Sequence, residues 1–330
     1  MAAVLALFAV ELALGWPSLT SALSQLRAPQ PGWLTSAVIV ELAAMVMYAR
    51  MQRRLLRSAG VRVPIHRHVA LAYAAHSLSV TLPGGPAFST RFNYQQMRRF
   101  GATPAIASWC IALSGIFSAA ALAAVTTGGA LAARGAPSWH TLAGFTLAGL
   151  LITLGVRQTT HRPEALEPAT RAALARINRL RHQPATRDLD RIRAFADQLR
   201  AARLGPAHAA AAGVYALLNW LLDAVCLWMC LQAVSDTGIN ATQLLLAFCA
   251  GMAAGTLTIV PGGLGIIDSA LILGLLTGGV DAPTAIATVV LYRLISFGFI
   301  IGIGWITWLF MRRHHRDRTA GTAEPEGLTP

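Results

Sequence analysis

The sequence contains no lysine, and only 12% of its 330 residues are charged, about half the ~25% typical of a soluble domain. That scarcity excludes an ordinary cytosolic enzyme and a disordered chain, both of which need a charged surface. Cysteine is scarce as well. Cys110, Cys226, Cys230 and Cys249 all lie inside apolar stretches, so they read as small buried hydrophobes and imply neither a disulfide framework nor a metal site. Acidic residues number 14 against 27 basic ones, for a net charge of +13. No nucleic-acid partner follows from that excess, because the arginines gather between apolar runs, as the positive-inside rule expects of cytoplasmic loops.

What the chain has in abundance is apolar sequence. Hydrophobic residues make up 55% of it, in runs at 1–15, 34–49, 68–82, 104–133, 139–156, 207–234, 242–260, 264–280 and 284–311. The expected fold is an all-α polytopic membrane protein, with a single transmembrane domain over 1–311 and a disordered cytoplasmic tail at 312–330. The first run starts at Met1 with no basic flank, so no cleaved signal peptide is expected.

Three arginine clusters set the orientation: Arg50 to Arg67, eleven arginines from Arg157 to Arg203, and Arg312 to Arg318. Placing all three in the cytoplasm, with the N-terminus beside them, creates a parity constraint. Segment 68–103 must then leave the cytoplasm and return to it. Its run 68–82 is only about 22 Å long as a helix, and it ends at Leu82-Pro83-Gly84-Gly85-Pro86 before a polar stretch holding Arg91, Asn93, Gln95, Gln96, Arg98 and Arg99. A re-entrant hairpin with its polar arm buried in protein or lining a wet cavity satisfies both demands. Segment 242–280 must likewise enter and return, turning at Val260-Pro261-Gly262-Gly263-Leu264-Gly265; both its arms are apolar, so two full crossings stay open. The count is about six full spans plus two Pro-Gly-Gly hairpins.

The two turns share a pattern. Pro104-Ala105-Ile106-Ala107 begins 21 residues after Pro83, and Pro283-Thr284-Ala285-Ile286-Ala287 begins 22 residues after Pro261. Blocks 34–133 and 207–311 enter from opposite faces, the arrangement of an inverted-topology repeat whose Gly/Pro-interrupted segments mark a binding site near the midplane. The connector 157–206 repeats Leu189, Ile192, Ala196 and Leu199 at helical spacing among arginines. A basic helix lying on anionic headgroups and a plain solvated connector fit it equally.

Ionisable residues inside apolar runs are costly and therefore candidates for function. They are Glu11, Glu41, His76, Asp223, Asp268 and Arg293. Asp268, just past the second turn, and Arg293 would offset each other's burial if paired. As a fixed ion pair they would only orient two helices. With Arg91 of the first hairpin they would instead contact an anionic group, since a guanidinium fork suits phosphate and helix N-termini after Pro83, Gly84 and Gly85, or after Pro261, Gly262, Gly263 and Gly265, offer free N–H groups. His76 reads first as a satisfied core histidine. Glu11, Glu41 and Asp223, isolated in sequence, read as interhelical hydrogen-bonding groups rather than as a proton path.

At this point the sequence resembles a known family. Leu82-Pro83-Gly84-Gly85 with Arg98-Arg99-Phe100-Gly101 is similar to the first motif of the membrane domain of lysylphosphatidylglycerol synthases, the flippase-like family. Pro261-Gly262-Gly263-Leu264-Gly265-Ile266-Ile267-Asp268 with Leu291-Tyr292-Arg293-Leu294-Ile295 resembles its second motif more closely. The resemblance spans roughly 34–311. It departs at Asp268, where the family usually has Glu, and at Leu113 to Phe117, which lacks the family's acidic and arginine residues. The aminoacyltransferase domain of full-length members has no counterpart in this chain. The resemblance thus implies a stand-alone, non-enzymatic carrier that moves an anionic phospholipid or lipid-linked molecule between leaflets of the inner (plasma) membrane, with lipids as partners and no cofactor.

Two other classes remain as expectations. A scaffold could recruit a separate synthase through the basic connector. An intramembrane hydrolase could use Ser114 with His76, although no run offers the paired histidines of a metalloprotease.

Overall fold

The computed structural model describes residues 29–82, 84–134, 204–236, 238–256, 263 and 265–321. The runs at 1–15 and 139–156 and the basic connector lie outside them, as do Pro83, Pro261 and Gly262. The described residues are overwhelmingly helical and contain no strand. In chain order the helices are α1 (Pro31–Ser58), α2 (Ile65–Thr81), α3 (Gly85–Arg99), α4 (Pro104–Arg134), α5 (Pro206–Val234), α6 (Ala241–Thr256), α7 (Ile266–Thr277), α8 (Ala282–Arg293) and α9 (Ile300–Gly321). Proline sits at the first helical positions of α1, α3, α5 and α8, where its missing N–H costs nothing.

Among the described residues, four helical stretches are long and apolar enough to cross a membrane: 31–58, 104–132, 206–234 and 282–312. The last is α8 joined to α9 through a π-helical segment, Leu294–Phe299. By contrast α6 has 16 residues and α7 has 12, so they reach only about 24 Å and 18 Å, short of the ~30 Å hydrocarbon core. Helix α9 runs on past Arg312 to Gly321. No proline or glycine interrupts 312–320, and the Arg312 guanidinium lies 5.1 Å over the Trp308 ring, one turn back along the helix.

Helices α1 and α5 form the most extensive pair. They run antiparallel: the Gln30 N–H donates to the Ala233 carbonyl at 2.8 Å, and Trp33 meets Trp228 edge-on at 5.2 Å. Around this pair, α2 and α3 form one hairpin and α6 and α7 another. Helix α2 packs on α9 and α6 packs on α4; α4 also packs on α1, and α8 on α5.

The second hairpin closes on small residues. A methyl group added at Gly251 or Gly255, spaced as G-x-x-x-G, would press 2.7 Å from Leu271 or Ile267, and one at Gly274 would press 2.6 Å from Ala247. Without a hydrophobic driving force between helices in lipid, such close backbone approach supplies the attraction.

Candidate functional site

Glycine makes both hairpin turns. Gly84, at φ +69°, precedes α3, and Gly263 and Gly265, at +62° and +83°, precede α7; each left-handed backbone disfavours a side chain. Gly85 answers a different need, since a Cβ there would collide with the Ser79 carbonyl oxygen.

The two turns face one cavity of about 630 Å³, which Gly84 and Gly85 line from one side and Gly263 from the other. Tyr292 and Arg293 close it from the end of α8. A second chamber of about 280 Å³ adjoins it. Glu41, His76, Ser79, Trp220 and Asp223 line both chambers, so a polar partition stands between them.

Arg293 and Asp268 are joined in an ion pair, Nε donating to Oδ1. The other carboxylate oxygen of Asp268 accepts from the Gly265 N–H at 2.8 Å. Asp268 therefore caps α7 from its third position while it holds the arginine. The Arg293 guanidinium is not saturated by this. Its Nη2 is buried and has no hydrogen-bond partner among the described residues. A guanidinium presents five N–H donors in a planar fork, and a buried unpaired one is costly, so this nitrogen is a donor awaiting an acceptor. The π segment begins at the next residue, and its Ser296 and Phe297 also line the cavity.

A second polar group was not visible in the sequence. The Tyr292 hydroxyl donates to Asp223 Oδ1 at 2.7 Å, tying α8 to α5. The Glu41 carboxyl of α1 lies close to Asp223 on the wall shared by the two chambers. Glu41 is only 6% exposed, and its Oε2 has no partner among the described residues. Acids that look isolated along the chain thus meet where α1 crosses α5, 182 positions apart.

Arg91 is not brought to this place. It lines an open groove between α3 and α4 with Thr90, Tyr94, Ser108 and Ile111, which meets the cavity at Pro86 and Ala87. His76 faces both chambers instead of sitting in a closed core. Ser114 is buried, donates to the Cys110 carbonyl at 2.7 Å, and lines neither chamber with His76. The four cysteines are free and buried.

Apolar helices long enough to span a membrane, two short hairpins and a cavity between them lined by Glu41, Asp223 and Arg293 define a multi-pass helical membrane protein. A family model described as lysylphosphatidylglycerol synthase TM region matches residues 1–304. The chain belongs to that family, and its membrane context is one of lipid-related function. No curated protein matches it.

Proposed function

We propose that this protein carries an anionic, phosphate-bearing lipid between leaflets, its headgroup passing through the cavity between the two glycine turns while Arg293 pairs with the phosphate. One observation carries the reading: the buried, unpartnered Nη2 of Arg293 in a cavity that both turns share. A guanidinium already fixed through Nε keeps its outer edge free for a phosphate fork. The cavity of about 630 Å³ falls in the usual ~300–1,000 Å³ range of small-molecule sites, enough for a headgroup whose acyl chains stay in lipid.

Further support comes from the packing. Each helix pairing in 31–134 has a counterpart in 206–321: α2 with α3 and α6 with α7, α4 with α1 and α8 with α5, α2 with α9 and α6 with α4. Such pairing around the antiparallel α1 and α5 is what two inverted repeats would produce. The shortness of α6 and α7 favours a hairpin that enters and returns over two full crossings. On this reading the chain is a non-enzymatic carrier in the plasma membrane, with its arginine-rich segments on the cytoplasmic side. Recruitment of a separate synthase would fall to the connector 157–206 and would be compatible with transport.

The test is leaflet exchange of fluorescent phosphatidylglycerol in proteoliposomes, followed by dithionite quenching. Wild type is expected to exceed protein-free vesicles and to lose that excess in Arg293→Ala. Equal rates in all three would refute the proposal for this lipid.

A further inference from the structure

Glu41 and Asp223 sit at the partition between the chambers, and their protonation is constrained by geometry. Two ionised carboxylates side by side on one wall of a site of low dielectric repel each other, so the pair keeps a proton on one of them. Asp223 already accepts from the Tyr292 hydroxyl, which favours Asp223 as the ionised member and Glu41 as the protonated one. With Arg293 neutralised by Asp268, the cavity then carries one uncompensated negative charge, at Asp223. An arriving phosphate monoanion would add a second beside it. Like charges in a site of low dielectric repel strongly, and a proton arriving at Asp223 would remove the repulsion.

We infer that the Glu41–Asp223 pair is a proton-binding site coupled to the headgroup site: it holds one proton when the cavity is empty and takes a second from water when a phosphate group pairs with Arg293. The proton bonds to a carboxylate oxygen of Asp223 and leaves again when the phosphate departs, so one proton accompanies each monoanion and the occupied cavity keeps the charge of the empty one. Glu41 Oε2, buried, unpartnered and lining both chambers, offers an opening for proton entry or exit. Asn93 Oδ1, likewise buried and unpartnered, lies on the inner chamber and could hold a water next to it. The other titratable or charged groups facing the pair are Tyr48 on α1, Tyr73 and His76 on α2, Cys226 on α5, and Tyr292 and Arg293 on α8. Among the groups facing the pair, His76 is the competing base that the experiment has to control for.

The inference rests on the proposed headgroup site, and calorimetry separates the two. Short-chain phosphatidylglycerol is titrated into the full-length protein in detergent, in buffers of differing ionisation enthalpy, so that bound ligand and absorbed protons are read independently. Wild type should take up about one proton per ligand, and by linkage its affinity should fall about tenfold per pH unit above neutrality. Asp223→Asn should bind without proton uptake, with a flat pH profile and tighter binding than wild type at alkaline pH. Glu41→Gln, which mimics the member already protonated, should keep the uptake at Asp223; its loss there would overturn the inference, and this outcome serves if Asp223→Asn fails to fold. His76→Gln should leave the uptake intact. Binding by wild type without proton uptake overturns the inference and leaves the headgroup site standing. Uptake that persists in Asp223→Asn, or that vanishes in His76→Gln, also overturns it. No binding at all by wild type refutes the headgroup site and the coupling together.

Discussion

The two hairpins do different work with similar turns. In the first, α2 leads to Gly84 and Gly85 and then to α3, whose sequence is polar and whose Asn93 and Gln96 are buried. In the second, both arms are apolar and lock together through Gly251, Gly255 and Gly274, and the polar chemistry is concentrated in Asp268 at the helix start. The first hairpin shapes the cavity wall and supplies neutral polar groups; the second reaches across to α8 and fixes Arg293, whose Nη2 is buried without a partner among the described residues. Similar backbone turns thus need not carry matching charges, and a repeat built from them can keep its ionic site on one side only.

Four substitutions sharpen or break this contrast. Arg293→Ala removes charge-assisted hydrogen bonding of about 1.5–3 kcal/mol, so lipid exchange should fall about ten- to hundredfold; a loss below threefold would break the assignment of the ionic site to the second hairpin and α8. Gly85→Val drives a side chain into the Ser79 carbonyl and should destabilise the first hairpin by about 1–3 kcal/mol, read as a lower midpoint of thermal unfolding in detergent. Asp268→Asn keeps an acceptor for the Gly265 N–H but loses the ion pair. With the two side chains 26% and 17% exposed, a cost of about 1 kcal/mol is expected, again from thermal unfolding. Arg91→Ala should change exchange by less than about twofold, because Arg91 lines the groove and not the cavity and exposed single charges contribute about 0–1 kcal/mol. A loss as large as that of Arg293→Ala would restore the first hairpin as an equal partner.

Much of the architecture was legible because glycine, proline and buried charge are rare signals in so apolar a chain. Gly84 and Gly263 take positive-φ conformations beside the helices, and Asp268 and Arg293 are joined. Helix ends were less legible. The run 34–49 becomes α1 over Pro31–Ser58, since hydropathy fades at Arg50, Arg53 and Arg54 while nothing there ends a helix. The joining of Glu41, Asp223 and Tyr292 was hidden because it depends on which helices pair across the fold, and periodicity along one helix carries no information about its neighbour. For the same reason Arg91, seven residues into α3 from Gly84, could be placed on the hairpin but not on its outer side. The π segment at Leu294–Phe299 has no proline to announce it.

The central claim is that both hairpins line a single hydrated cavity that an anionic lipid can occupy. The most direct measurement introduces Ala87→Cys on the first hairpin and Met252→Cys on the second, both at the cavity wall, and follows labelling by a water-soluble thiol reagent against the unsubstituted chain, whose described cysteines are buried. The account predicts that both new thiols react, and that phosphatidylglycerol protects both while phosphatidylcholine protects neither. Labelling of only one, or protection of one without the other, would contradict it.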